Sequence, residues 1–112
     1  MSEDKDWEET KHRIKLGSRL QGVVIEHKPF GIFVDIGDPV AIGLVQIIDF
    51  RDEAPMIADD YPALGSIVEA IIIGFTDARR KQVWMTMKPS WLSRNDAEIL
   101  ALMQNSHRGL RN

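Results

Sequence analysis

The sequence predicts a small, mainly β domain built as a closed antiparallel barrel of five strands, with a short C-terminal helix. Between residues 16 and 88, short β-branched runs are separated by clusters of Gly, Pro and Asp, with no long helical period between them. One long connection, residues 51–64, divides the third run from the fourth and is predicted as a loop with one helical turn. Closure into a barrel would remove the sheet edges that invite aggregation.

Alternation of residue types assigns faces to the strands. In the second run the aliphatic residues share one face, which we assign to the core, so Phe33 is predicted to point outward. Phe30 has the core parity by simple count, and a bulge at Gly31 would turn it outward. Trp84 in the fifth run is likewise assigned to the outer face. The five runs cover residues 19–26, 30–37, 42–48, 66–75 and 82–88.

Both ends of the chain carry helical signals. Acidic and basic residues at helical spacing within 1–13 favour a short frayed helix, and we expect Trp7 to pack on the outside of the domain. After Pro89, Asn95 and Glu98 have the spacing of a capping box that starts a helix at about 95–105. We therefore divide the chain into an acidic extension at 1–15, the barrel at 16–89, and the C-terminal helix with a basic tail at 90–112.

Composition excludes several classes of protein. The chain has 112 residues and no cysteine, which excludes a disulfide scaffold, a thiolate metal site and a cysteine nucleophile. None of the three histidines has a second ligand at helical spacing, so we expect no metal and no cofactor. No apolar run is long enough to span a membrane, and the N-terminus lacks the pattern of a signal peptide, so we expect a cytoplasmic protein. Because no catalytic motif is present, we expect neither enzymatic activity nor a small-molecule substrate.

Charge is distributed unevenly along the chain. The net charge is −3, but residues 38–61 sum to −5 and residues 76–112 to +4. Attraction to phosphate would therefore have to be local. Aromatic rings beside cations form a platform for unpaired bases, contributing about 1–3 kcal/mol per stacked base. If a terminal segment covers the rings, the same residues are structural. The candidate platform consists of three aromatic and three basic residues: Phe30, Phe33, Trp84, Arg79, Arg80 and Lys81.

Residues 17–88 also resemble the S1-type RNA-binding domain, through an ordered set of motifs. Two glycines five apart, the first being Gly17, open the first strand. The second strand reads Phe-Gly-Ile-Phe-Val from Phe30, and Gly-Leu-Val begins at Gly43. A basic turn then leads into a last strand that closes on Lys88. The resemblance implies an OB-fold barrel that binds single-stranded or ribosome-associated RNA.

The resemblance also implies which residues contact RNA. In the family, two aromatics, a histidine, an aspartate and an arginine line the binding face. The aromatics correspond to Phe30 and Phe33, and the aspartate to Asp77. Gln46 and Gln82 occupy the histidine and arginine positions, and glutamine can hydrogen-bond but carries no charge. The full predicted RNA-binding set is Phe30, Phe33, Gln46, Asp77, Arg79, Arg80, Lys81, Gln82, Trp84 and Lys88.

Two functions remain open from the sequence. The first is a non-enzymatic RNA-binding protein, related to the ribosome and translation, that stacks bases on Phe30 and Phe33. The second is a protein-interaction module that keeps the barrel while RNA binding is weakened or lost. Its surfaces would be the acidic loop and the apolar face of the C-terminal helix around Ile99 and Leu100. Affinity for RNA that falls with salt would favour the first.

Overall fold

The computed structural model describes residues 3–54, 56–77 and 80–111, with side chains described between residues 5 and 104 of those ranges. Five strands close into a barrel in the order β1-β2-β3-β5-β4. The elements are α1 (Glu3–Arg13), β1 (Arg19–Lys28), β2 (Gly31–Asp35), β3 (Ile42–Gln46), β4 (Ile67–Thr76), β5 (Gln82–Thr86), α2 (Pro89–Leu92) and α3 (Asp96–Arg111), with 3₁₀ turns at Ile47–Asp49 and Ala58–Asp60.

The predicted five-stranded barrel is confirmed, but its strands are not all antiparallel. Four of the neighbouring pairs are antiparallel, whereas β3 and β5 run parallel. The reason is geometric. In a closed ring with an odd number of strands, directions cannot alternate all the way round, so at least one pair must be parallel. In this barrel that pair is the one that brings β3 beside β5.

The barrel interior is filled by the inward residues that strand alternation predicts. Aliphatic side chains from all five strands, together with Met85, form one buried cluster. Trp7 of α1 and Ile14, which directly follows the helix, belong to the same cluster, so the N-terminal segment completes the core. The expectation that Trp7 lies outside is therefore wrong: it is only 3% exposed, and its ring meets that of Phe75 edge to face at 5.8 Å. The open end of a barrel exposes apolar side chains, and a large ring from α1 covers them.

Helix α1 is held at two loops by two carboxylates. The Trp7 indole N–H donates to Asp77 at the end of β4, and the Thr10 hydroxyl donates to Asp38 in the β2–β3 loop at 2.7 Å. Arg13 donates to Asp38 as well. Burial raises the pKa of Asp38, but hydrogen bonds from two backbone N–H groups and Thr10, with the charge of Arg13, outweigh burial and hold the pKa below its ordinary value. The ionised carboxylate is thus part of the folded structure.

The C-terminal helix begins as predicted and extends further. Asn95 and Glu98 form the reciprocal capping box, at 2.9 and 3.1 Å. The backbone stays helical to Arg111, beyond the predicted end near 105, since no proline interrupts it; the side chains of the predicted basic tail lie outside the described residues. Ile99 is fully buried beside the Gly17 turn, so α3 packs on the barrel. No helix within the described part of the chain is long and apolar enough to cross a membrane.

Candidate nucleic-acid interface

A row of large side chains crosses the outer face of β2, β3 and β5. The register pairs Phe33 with Leu44, and Leu44 with Trp84, so the three residues are neighbours across the sheet. With Ile42 they form an apolar cluster separate from the barrel core. This separation agrees with the outward direction predicted for Phe33 and Trp84. Sequence reasoning did not include Ile42 and Leu44 in the site, although their alternation in the third strand carried that signal.

Phe33 points outward, but it is not exposed. Only 7% of it is accessible, so the prediction of a bare ring is wrong. Its neighbours in the apolar cluster pack around it, the Phe30 ring meets it edge to face at 5.9 Å, and the Arg80 guanidinium lies 5.5 Å from its centroid. Arg80 is therefore placed for a cation–π contact with Phe33. Phe33 is therefore a buried ring against which the more accessible Phe30 and Arg80 pack.

Phe30 is the accessible ring of this pair. It is 49% exposed, as predicted, although not through a bulge at Gly31. Phe30 lies in the turn before β2, where strand parity does not apply, and the bulge of this hairpin lies in β1 between Val24 and Glu26. Its ring has a partner on one side in Phe33 and solvent on the other.

Backbone contacts fix the position of Phe30. Its carbonyl accepts a hydrogen bond from the Ile47 N–H at 2.8 Å. At the next residue, a Cβ on Gly31 would lie 2.2 Å from the Val45 carbonyl oxygen, so only glycine allows β2 to approach β3 this closely. The motif glycine thus sets the place from which the ring projects.

The two glutamines of the predicted site are half-buried on this face. Gln46 is paired with Gly31 in the sheet, which places it next to Phe30. Gln82 begins β5, and its side-chain oxygen accepts a hydrogen bond from the Trp84 indole N–H at 3.2 Å. That contact orients the Trp84 ring, which remains partly accessible.

The positive charge of the site is divided between two ends of the face. Arg80 is exposed, and the half-buried Lys81 lies beside it in the β4–β5 turn; Arg79 lies outside the described residues. Lys88 follows β5 at the other end, next to Asp49. Burial raises the pKa of Asp49, and the charge of Lys88 only partly opposes this.

The carboxylate of Asp77 is bonded within the protein. Besides the bond from the Trp7 indole, its carboxylate lies 3.9 Å from Lys11 Nζ, and its backbone carbonyl lies 3.5 Å from Lys81 Nζ. The structure therefore brings together Phe30, Phe33, Trp84, both glutamines and Arg80, whereas Asp77 serves to hold α1. Nothing in the local sequence signals a bond between residues 7 and 77.

The S1 RNA binding domain model matches residues 13–85, which is well over half of the chain. The chain belongs to the S1 RNA-binding domain family. Membership in this family supports RNA binding as its general function. S1 domains are RNA-binding modules rather than enzymes. No curated protein is significantly similar to this chain in sequence.

Solved structures share the fold of this S1 domain at low sequence identity. GSP13 from Bacillus subtilis has a TM-score of 0.59 and 18% identity, over 72% of this chain and 61% of that one. The α subunit of aIF2 from Pyrococcus abyssi has a TM-score of 0.54 and 18% identity, over 64% and 28%. A chain of the a/eIF2α–aDim2p–rRNA complex from Pyrococcus horikoshii has 0.57 and 17%, over 87% and 55%. This chain thus spans less than two thirds of each of these neighbours.

Proposed function

We propose that this S1 domain binds unpaired RNA across the outer face of β2, β3 and β5, with one base stacked on Phe30. The observation that carries the proposal is the half-exposed Phe30 ring, held edge to face against the buried Phe33. A ring fixed on one side and open on the other loses little conformational freedom when a base stacks on it. Trp84, partly accessible across the same face, offers a second apolar contact.

Polar and charged groups around the ring complete the proposed site. Gln46 lies next to Phe30 and can bond a base edge or a 2′-hydroxyl, which would favour RNA over DNA. Arg80 and Lys81 at one end, and Lys88 at the other, can each meet a phosphate. Two or three such contacts give a slope of log affinity against log salt of about −1.4 to −2 for a single strand. Because the net charge is −3, we expect modest affinity that depends on this local charge.

The test is a fluorescence anisotropy titration with a labelled, unstructured 12-nucleotide RNA at several salt concentrations. Phe30→Ala should weaken binding by about 5- to 160-fold, since one stacked base contributes about 1–3 kcal/mol. Ile67→Ala is the matched control, because Ile67 is 71% exposed on β4, outside the β2–β3–β5 face. Phe33 is unsuitable for the same test, since removing a buried ring would disturb the fold.

The control variant should bind as the unmodified protein does, and an unlabelled duplex of the same length should compete poorly. Equal affinity of the Phe30→Ala variant and the unmodified protein would refute stacking at this ring. Efficient competition by the duplex would refute the preference for unpaired RNA.

The structural neighbours and α3 bear on the natural target. Two of the neighbours are aIF2 and a/eIF2α structures, and the latter is in a complex that contains rRNA, which supports a ribosome-associated RNA as the target.

The competing idea of a protein-interaction module relied on the apolar face of the C-terminal helix. Ile99 of that face is buried against the chain itself, while Leu100 remains exposed, so less of the face is free for a partner.

A further inference from the structure

Beyond Phe33 the outer face of β2 opens into a cavity of about 240 Å³. Two of its lining residues, Ile42 and Arg80, also contact Phe33 or share its cluster, so the cavity continues the proposed RNA face. Asp35 lies two positions after Phe33 on the same strand, which places it on the same outer side about 7 Å further along. The lining includes Ile25, Asp35, Asp38, Ile42 and Arg80.

The two carboxylates that line the cavity differ in what they can still bind. Asp38 already accepts from Thr10 and Arg13 at one oxygen, and from two backbone N–H groups, at 2.8 and 2.9 Å, at the other. Its side chain has no accessible surface. Asp35 is exposed, and the Gly37 N–H donates to its Oδ1 at 2.9 Å. Across the residues that the structure describes, its Oδ2 accepts no hydrogen bond. Asp35 is therefore oriented by the loop and available to a ligand.

We propose that this cavity is a base-reading subsite that selects guanine, a proposal that rests on the RNA-binding function proposed above. The Watson–Crick edge of guanine presents two adjacent N–H donors, at N1 and N2, and the two acceptor oxygens of Asp35 can take both. Adenine, cytosine and uracil each present a single donor group on that edge. Arg80 can donate to the guanine O6 or to the neighbouring phosphate, and Ile25 and Ile42 supply apolar contacts to the ring.

Size and position agree with this assignment. The cavity is smaller than the roughly 300–1,000 Å³ of pockets for drug-sized ligands, which fits a single base. A base stacked on Phe30 and a second at Asp35 would be separated along β2 by a few strand residues, a distance that an extended single strand can span. Bases recognised in this way are unstacked from one another and read by their edges.

The experiment compares four 12-nucleotide RNAs: oligouridine, and the same sequence with one central G, A or C. We expect the G-containing RNA to bind about tenfold more tightly than the other three, within the range for a two-bond base contact. Asp35→Asn should reduce this preference to less than twofold, because an amide presents a donor where guanine also has donors. Glu69→Gln on β4 is the charge-matched control and should keep the preference.

Each outcome decides the proposal. Asn keeps the size of Asp35 and an oxygen for the Gly37 N–H, and an unchanged thermal midpoint would show that the variant folds. If all four RNAs bind equally and binding still requires Phe30, the guanine subsite is wrong while the proposed function stands. If Asp35→Asn keeps the preference for G, the subsite is also wrong. If no RNA binds, both proposals fail.

Discussion

Replacing Trp7 by alanine tests whether the N-terminal helix is part of the domain core. Trp7 is only 3% exposed, its ring meets that of Phe75 edge to face, and its indole N–H donates to Asp77. These two contacts join the first helix to the end of β4. The core cluster also contains Ile14, the residue that directly follows α1. Within the described N-terminal segment, the variant therefore removes one of the two apolar side chains that reach the core, and the hydrogen bond to Asp77.

The expected cost follows from these contacts. Truncation of a buried tryptophan to alanine typically reduces the free energy of unfolding by about 3–5 kcal/mol, out of a total of roughly 5–15 kcal/mol for a domain. For a chain of this size, 1 kcal/mol corresponds to roughly 4 °C, so the thermal midpoint should fall by about 12–20 °C. Trp7→Phe keeps an aromatic ring but loses the hydrogen bond to Asp77. Because of this lost bond, the free energy of unfolding should fall by about 1 kcal/mol beyond the effect of the smaller ring.

The assay is thermal unfolding, monitored by far-UV circular dichroism. Amide hydrogen exchange of residues 3–13 is measured as well. Trp91→Ala is the matched control, since Trp91 is only half-buried and its loss should lower the midpoint less. If α1 detaches without unfolding the barrel, the loss will show as faster exchange in α1. A Trp7→Ala midpoint within about 3 °C of the unmodified protein, with exchange in α1 unchanged, would refute the reasoning.

Two further predictions concern the loops and the sheet. The pKa of Asp38 in the folded protein lies below its ordinary value of 3.8. The ionised carboxylate therefore contributes its full stability above pH 3.8, and this contribution is lost as the pH falls through the folded-state pKa. Asp38→Asn should lower the urea midpoint at pH 7 and lower it much less at pH 2. An equal deficit at both pH values would contradict this. Gly31→Ala should destabilise by about 2 kcal/mol, because its Cβ would meet a β3 carbonyl, whereas Gly74→Ala, whose Cβ would have one neighbour at 3.9 Å, should change stability by less than about 1 kcal/mol in urea titrations.

The strands and the helix cap could be predicted from the sequence because their causes are local. The described strands begin within about a residue of the predicted runs, since alternation and the Gly, Pro and Asp clusters report directly on backbone preference. The capping box at Asn95 and Glu98 lies within four residues of chain. Parity also assigned the correct side to Phe33, because side-chain direction in a strand needs no tertiary information.

The errors involve contacts between distant parts of the chain. Trp7 is one ring in a polar helix, and only the position of the barrel end shows that the ring has a place to pack. The exposure of Phe33 depends on Arg80 and on neighbours from two other strands, which parity does not describe. The RNA-binding role that the resemblance assigns to Asp77 stays a prediction, but the bond of Asp77 to the N-terminal helix, across 70 residues of sequence, could not be foreseen. Site residues of this kind can be placed on a face from sequence, but their partners cannot.

The parallel pairing of β3 and β5 affects when, during folding, the proposed RNA-binding face is complete. It joins Ile42 to Gln82, so the seam can close only after the intervening chain has crossed the barrel and returned, which is a slow step in folding. Phe33 and Leu44 lie on one side of this seam and Trp84 on the other. A ligand that spans it would hold the two sides together, and would stabilise the native state by an amount that grows with the logarithm of the ligand concentration.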